Sequence, residues 1–235
     1  MLTLRQVWRK AVRRFLYRHE KSSYALNQLD KKLAPYMDFN NGFFIEVGAN
    51  NGVKQSNTLY FEKYMGWRGL LIEAIPDLAE QCRKNRPRCI VENCALVAAD
   101  YSERTIEMQY CNLMSIVKGG LGNPENEATH IKRGKQFLRQ DEDVYTVLVP
   151  ACVLSDILDK YGISKVDFLS LDVEGYEHEV LKGLDFSRHR PRFMLIEVRD
   201  RLVIEEIISH WYQPIAILNL NPAYQDILYE VKGEQ

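Results

Sequence analysis

The sequence lacks three features that would assign it at once to a broad class of proteins. No apolar run reaches the roughly 18 residues that a membrane-spanning helix needs, so a conventional span is excluded. The five cysteines include no C-x-x-C pair, which disfavours a structural zinc site or a disulfide framework and favours reduced thiols. With 46% hydrophobic and 27% charged residues, the chain of 235 residues is not disordered and suffices for one large domain.

Net charge is also nearly absent, but the charges are unevenly distributed. The total is −1, yet residues 1–21 contain seven lysines and arginines against one glutamate, a net charge of +6 that leaves −7 on the remaining residues. Leu4, Trp8 and Phe15 recur among these cations at helical spacing, which predicts a basic amphipathic helix. Such a helix would lie on an anionic membrane surface, or its apolar stripe would pack on the domain, a partner or a second copy of the chain.

Two further absences bear on location and partners. The N-terminus lacks the apolar core and cleavage site of a secretory signal, so we expect a cytoplasmic protein, with peripheral contact at the inner face of the membrane as the alternative that residues 1–21 leave open. The acidic remainder shows no basic groove with interleaved aromatic residues, which argues against nucleic acid as a partner. We divide the chain into an N-terminal helical segment, 1–40, and a domain, 41–235.

From residue 43 onward, short β-branched runs alternate with helical stretches, a pattern typical of βαβ units and of a mostly parallel sheet. The predicted strands are 43–47, 69–73, 88–92, 105–110, 166–171, 193–198, 214–218 and 227–231, and the predicted helices are 56–64, 76–86, 155–161, 174–181 and 202–211. Only a loop separates the last two strands, so they must form an antiparallel hairpin. Residues 119–143 are a long polar insertion, for which we expect a lid or a substrate loop.

A glycine-containing turn, Glu46-Val47-Gly48-Ala49-Asn50-Asn51-Gly52, follows the first predicted strand. Glycines at such a turn let a ligand approach the backbone, but the spacing is not the G-x-G-x-x-G of dinucleotide sites. The carboxylate of Glu46 would repel a pyrophosphate and attract a sulfonium or an ammonium. Glu73 ends the second strand, where a carboxylate can bind both hydroxyls of a ribose. These features predict an adenosine-type ligand and leave a nicotinamide-dependent oxidoreductase open as an alternative.

Three carboxylates, Asp172, Glu174 and Glu177, follow the apolar strand 166–171. Neighbouring acids in one crevice shift each other's pKa, which suits a general base, a cation site or a divalent metal such as Mg²⁺. On the predicted helix 174–181, Glu177 would lie one turn beyond Glu174 on the same face. We select Asp172 and Glu174 as candidate catalytic residues, with Glu197 and His130 as helpers.

At these residues the sequence resembles the FkbM family of S-adenosylmethionine-dependent methyltransferases. The segments that carry the resemblance are FIEVGANNG (44–52), SNT (56–58), GWRGLLIE (66–73), VDFLSLDVEG (166–175) and LIEV (195–198). Over about residues 40–220, the resemblance implies the class I methyltransferase fold, a Rossmann-like α/β architecture with a seven-stranded, mostly parallel sheet that ends in an antiparallel hairpin. A non-catalytic, membrane-associated binding protein on the same fold is the second alternative.

The resemblance also implies roles for individual residues. The cofactor-binding set comprises Glu46, Gly48, Asn50, Gly52, Asn57, Thr58, Glu73, Asn93 and Asp172. Within it, Glu46, Gly48 and Asn50 would meet the methionine end of S-adenosylmethionine, Glu73 the ribose and Asn93 the adenine. Asp172 and Glu174 would face the transferable methyl group. The implied reaction is O-methylation of a sugar or glycan acceptor in a cell-surface polysaccharide or glycolipid precursor, and cations of 119–143 would meet an acidic sugar or a diphosphate carrier.

Overall fold

Two β-sheets organise residues 22–233, the part of the chain that this computed structural model describes; the predicted amphipathic helix of residues 1–21 lies outside it. The strands are β1 (Phe43–Val47), β2 (Arg68–Ile72), β3 (Ile90–Glu92), β4 (Ala95–Val97), β5 (Thr105–Tyr110), β6 (Ile116–Val117), β7 (Tyr145–Val153), β8 (Phe168–Leu171), β9 (Phe193–Val198), β10 (Tyr212–Asn221) and β11 (Tyr224–Val231). The α-helices are α1 (Leu29–Leu33), α2 (Leu59–Met65), α3 (Pro76–Asn85), α4 (Pro124–Gly134), α5 (Leu154–Lys160), α6 (Glu177–Lys182) and α7 (Arg201–Ile208).

The larger sheet has seven strands in the order β10-β11-β9-β8-β1-β2-β3. The pairs from β9 through β3 are parallel, and β11 runs antiparallel to both β9 and β10. The predicted seven-stranded sheet with an antiparallel C-terminal hairpin is therefore confirmed. Because β1 lies between β2 and β8, the carboxyl ends of these three strands meet at one edge, which is where a doubly wound sheet binds its ligand.

Apolar side chains cover both faces of this sheet, which explains the nearly continuous hydrophobic runs of its central strands. Ile45 and Val47 of β1 pack in one core cluster, whereas Phe44 packs in the cluster on the opposite face. Leu33 and Met37 belong to that second cluster, so residues 22–40 pack directly on the sheet. The domain boundary at residue 40 stays a prediction. Within residues 22–233, no helix has both the length and the apolarity required to cross a membrane.

A smaller sheet, in the order β4-β7-β5-β6, stands beside the larger one. The sequence predicted β5 but none of the other three strands of this sheet. The nine-residue β7 is mostly exposed or half-buried and contains Pro150, so it carries little of the hydrophobic periodicity that marks a strand. The insertion 119–143 contains helix α4 where a loop was predicted; the side chain of Asn123 caps that helix by accepting from Asn126 N at 2.8 Å, and Pro124 occupies its first turn.

Two predicted helices begin later than expected. Helix α2 begins at Leu59, because residues 56–58 form a turn around Glu46. Helix α6 begins at Glu177, because Glu174 and Gly175 adopt left-handed backbone angles with φ of 59° and 106°. The prediction that Glu174 and Glu177 share a helix face is therefore wrong.

A buried arginine, Arg86 at the end of α3, joins the elements that surround the turn after β1. Its fully buried guanidinium forms ion pairs with Glu62 of α2 and, at 3.7 Å, with Glu46 of β1. It also donates to the carbonyl oxygen of Gly52 at 2.9 Å and to Thr58 Oγ1 at 3.1 Å. A buried charge costs several kcal/mol unless such partners replace water, so these contacts restrict where the turn can lie.

We expect Arg86→Met to lower the free energy of unfolding by about 3–5 kcal/mol, because Glu46 and Glu62 would stay buried without their counter-charge. The measurement is urea denaturation. Arg83→Met is the matched control on the same helix: its exposed ion pair with Glu80 should contribute less than about 1 kcal/mol. Equal losses in both variants would contradict this account of Arg86.

Candidate functional site

A cavity of about 500 Å³ opens at the carboxyl ends of the central strands. Its walls include the turn after β1, the residues that follow β2 and β8, the end of β9 and one side of α4. The structure brings most of the sequence-predicted residues together there: Glu46, Gly48, Asn50, Glu73, Asp172, Glu174, Glu197 and His130 line the cavity. Four others, Gly52, Asn57, Thr58 and Asn93, lie outside its lining and support the residues that form it.

Gly48 makes the closest backbone approach in the site. It adopts φ +80°, and a β-carbon built on it would lie 1.9 Å from the carbonyl oxygen of Asp172. Its N–H and that of Ala49 donate to the carbonyl of Ile72 at 3.0 and 3.2 Å. Only glycine combines this left-handed conformation with this proximity, so the residue keeps the turn after β1 against the start of the acidic segment after β8.

Glu46 serves chiefly to hold the neighbouring turn. Its carboxylate is 4% exposed and accepts hydrogen bonds from Ser56 Oγ at 2.8 Å, Thr58 Oγ1 at 2.6 Å and Asn57 N at 2.7 Å. Arg86 completes the set. These donors bind both carboxylate oxygens, and the predicted contact of Glu46 with a methionine group stays a prediction. Asn57 and Thr58 belong to this ring of donors around Glu46. They therefore support the site through Glu46 and do not line the cavity themselves.

Glu73 presents a buried carboxylate at the end of β2. Its Oε2 accepts from Asn50 N at 2.7 Å and its Oε1 from Ile75 N at 2.8 Å. Burial raises the pKa of Glu73 to about 7, although the backbone hydrogen bonds from Ile75 and Asn50 act in the opposite direction. An ionised carboxylate has about four acceptor positions, so two backbone donors leave capacity for the hydroxyls of a diol.

Asn93 does not reach the cavity. Its side-chain amide donates to the carbonyl oxygens of Glu73 at 2.9 Å and Ala74 at 2.8 Å, which stabilises the turn after β2. The next residues, Cys94 and Ala95, line the cavity in its place. The predicted adenine contact of Asn93 therefore stays a prediction, and the structure offers these two neighbours for that position.

An acidic cluster, which we define as Asp172, Glu174, Glu177 and Glu197, surrounds Arg199. Arg199 Nη2 lies 2.6 Å from Glu174 Oε2 and 3.3 Å from Glu197 Oε1. Sequence reasoning missed Arg199; the available signal was its place directly after β9, two residues beyond Glu197. Glu177 Oε1 accepts from the backbone N–H groups of Val173 at 2.9 Å and Gly175 at 3.1 Å.

Burial raises the pKa of every carboxyl in this cluster, and repulsion by neighbouring carboxylates adds to the rise at Asp172, Glu174 and Glu197. The pKa of Glu197 rises to about 10 through burial and through the charges of Asp172, Glu174 and Glu177. Burial likewise raises the pKa of Glu174 to about 7, against the opposing effect of Arg199. Burial and the charges of Glu174 and Glu177 raise the pKa of Asp172 well above its ordinary value. At neutral pH Glu197 is therefore protonated, whereas Glu174 is present in both its protonated and its ionised form.

His130 of α4 faces the cluster from the opposite wall. Its Nε2 lies 3.2 Å from the carbonyl oxygen of Met114 and 3.6 Å from Glu174 Oε2. Burial, together with the charges of Arg199 and Arg133, lowers its pKa to about 4, so the ring is neutral at pH 7. Because a carbonyl only accepts, Nε2 carries the proton and Nδ1 is the free acceptor.

Oxygen atoms of Asp172, Glu177 and Glu197 lie within 4.8 Å of one another, the one group of potential metal ligands found in residues 22–233. Arg199 already provides a permanent positive charge beside this group, and two backbone N–H groups occupy Glu177 Oε1. The divalent cation considered from the sequence stays a prediction.

Comparisons with known proteins found a matching family model and several similar solved structures. Residues 46–215 match the family model described as Methyltransferase FkbM domain. Similar solved structures include the methyltransferase FkbM from Methylobacillus flagellatus KT, with 15% identity, a TM-score of 0.48, and coverage of 95% of this chain and 59% of that one. Another is a TehB-like SAM-dependent methyltransferase from Corynebacterium glutamicum ATCC 13032 Kitasato, with 8% identity, a TM-score of 0.44 and coverage of 96% and 97%. No curated protein shows a significant match.

Gly48→Ala should destabilise the fold far more than the same change at Gly122. Both glycines have φ near +80°, so each variant carries the cost of a left-handed alanine, about 1–2 kcal/mol. Only at Gly48 does the new methyl group also meet a backbone oxygen, whereas nothing lies within 4 Å at Gly122. We expect an additional loss of at least about 2 kcal/mol at Gly48 by urea denaturation. Similar losses at both positions would show that the turn can move away from Asp172.

Proposed function

Because this chain belongs to the methyltransferase FkbM domain family, we propose that it is an S-adenosylmethionine-dependent O-methyltransferase. The acceptor in this proposal is a hydroxyl group of a sugar, in a cell-surface polysaccharide or glycolipid precursor. The observation that carries the proposal is the single cavity in which the Gly48 turn, the Glu73 carboxylate and the acidic cluster meet.

The residues present fit S-adenosylmethionine, which supplies a methyl group on a positively charged sulfur. Glu73 keeps acceptor capacity for a ribose diol, beside the N–H of Asn50 that it already binds. The Gly48 turn brings backbone to the cavity wall without a side chain. A positively charged ligand beside the carboxyl groups of this cavity would favour their ionised forms, whereas an anionic ligand would raise their pKa further.

Glu174 is the general base in this proposal. A sugar hydroxyl is a weak nucleophile, and a base is most effective when its pKa lies near the working pH, as that of Glu174 does. Arg199, at 2.6 Å, holds the carboxylate in place. Glu197 is protonated at neutral pH and therefore cannot accept the proton. Neutral His130 lies on the other side of Glu174 and restricts its orientation.

The test is transfer of a labelled methyl group from S-adenosylmethionine to fractionated lysate of the protein's own organism, with mass spectrometry of the labelled species. We expect an O-methylated sugar. Glu174→Gln should lower transfer about 100-fold or more, the scale of losing a general base, while calorimetry shows unchanged affinity for S-adenosylhomocysteine. Wild-type transfer should rise as pH increases through about 7, because Glu174 acts only when deprotonated, and the variant should lack this rise.

Glu179→Gln is the matched control for that experiment. Glu179 lies in the same segment but pairs with Lys182 at 2.6 Å and does not line the cavity. Normal transfer by Glu174→Gln would remove Glu174 as the base. Label on a species without a sugar would contradict the acceptor class, and failure to bind S-adenosylhomocysteine would contradict the proposal as a whole.

The proposal extends to location, since the +6 charge of residues 1–21 suits contact with the anionic inner face of the membrane in the cytoplasm. Deleting residues 1–21 should abolish cosedimentation with vesicles that contain phosphatidylserine and leave affinity for S-adenosylhomocysteine unchanged. Raised salt should release the full chain in the same way, because exposed charges are screened. Vesicle binding that survives the deletion would contradict membrane contact through this segment.

A further inference from the structure

Two cations line the cavity without belonging to the acidic cluster. Lys54 lies in the turn between β1 and α2, and Arg133 lies in the last turn of α4. Both side chains belong to exposed residues. Within residues 22–233, neither has a carboxylate within ion-pair distance, in contrast to Arg199, which lies 2.6 Å from Glu174 Oε2 and 3.3 Å from Glu197 Oε1. We refer to Lys54 and Arg133 as the cationic rim.

The two rim residues come from distant parts of the sequence and line the cavity together with one aromatic residue, Phe137. Lys54 Nζ lies 5.9 Å from the centre of the Phe137 ring. Arg133 precedes Phe137 by four residues, in the last turn of α4, and Phe137 ends the 3₁₀ turn Lys135–Phe137 that follows this helix. Phe137 is half-buried and lines the cavity with them. The rim therefore combines two unneutralised cations with an apolar surface.

The cations that line the cavity differ in their partners. Arg199 is paired with carboxyl groups of the acidic cluster, whereas within residues 22–233 no carboxylate lies within ion-pair distance of the rim. Cations that lack a protein counter-ion and line a cavity are suited to bind carboxylate or phosphate oxygens through charge-assisted hydrogen bonds. A ligand that carries both an anionic group and a free hydroxyl would be held by the rim through its anionic group, which leaves its hydroxyl for Glu174 in the same cavity.

We infer that Lys54 and Arg133 bind an anionic oxygen group of the acceptor, a carboxylate or a phosphate, and that the methylated sugar is therefore negatively charged. The inference rests on the proposed function, because it assigns the acceptor of the same site. Phe137 contacts the carbon skeleton of this sugar between the two cations. Lys54 and Arg133 are thus residues that select the acceptor, and Glu174 acts on its hydroxyl.

The test uses the full chain saturated with S-adenosylhomocysteine, so that the donor part of the cavity is filled. D-glucuronate, glucose 1-phosphate and uncharged D-glucose are titrated separately and followed by saturation-transfer NMR. We expect at least one of the two anionic sugars to bind about tenfold or more tightly than glucose. Binding of glucuronate alone identifies a carboxylate site, binding of glucose 1-phosphate alone a phosphate site, and binding of both a shared anion site.

The double variant Lys54→Gln/Arg133→Gln should lose this preference and keep its affinity for S-adenosylhomocysteine. Lys132→Gln is the matched control, since Lys132 is the exposed neighbour of Arg133 on α4 and does not line the cavity; it should keep the preference. If no anionic sugar binds better than glucose, or if the preference survives in the double variant, the inference is overturned and the proposed function stands. The single variant Lys54→Gln is measured as well: reduced affinity for S-adenosylhomocysteine would assign Lys54 to the methyl donor and overturn its role in acceptor binding. A wild-type chain that does not bind S-adenosylhomocysteine would refute the proposed function itself.

Discussion

The buried ion pairs of Arg86 with Glu46 and Glu62 are the constraint on which the rest of the site depends. Glu46 lies near the end of the central strand β1, where water cannot solvate it, so its charge requires protein donors. Those donors come from residues 56–58 and from α3, and their convergence determines the path of the chain from Gly48 to Thr58. Since residues of that path line the cavity, the partners of one buried arginine shape this side of it.

The cavity carries charges that a fold selected only for stability would avoid. Four carboxyl groups share one guanidinium, and burial raises the pKa of each of them. Strongly shifted groups that converge in a cleft are typical of functional sites, where stability is given up for chemistry. The left-handed backbone of Glu174 belongs to the same pattern, because it directs one carboxylate away from the helix that it precedes and toward Arg199.

Particular residues show how far sequence reasoning reaches. The glycine turn after β1, Glu73 after β2 and the acids after β8 were predicted in their positions, because parallel strands bring their carboxyl ends to one edge. Arg199 was missed, and so were the three hydrogen-bond donors and the arginine that surround the carboxylate of Glu46. The residues next to Lys54 in the sequence predicted no role for it. A role follows only from the tertiary structure, in which Phe137, in the turn after α4, lies beside Lys54. Strand β7 was missed because its local hydrophobic pattern is weak. It forms because it pairs with β5 along most of its length.

The sequence by itself determined the alternation of strands and helices in the larger sheet, the antiparallel ending of that sheet and the family, since hydrophobic periodicity and turn residues act over a few positions. Only the tertiary structure decided which charged groups are satisfied by the protein and which remain available to a ligand. The reason is physical: the state of a carboxylate depends on burial and on partners within a few ångströms, and those partners lie far away along the chain. Glu46 meets Arg86 across 40 residues and Glu174 meets Arg199 across 25, and neither pairing can be read from local spacing.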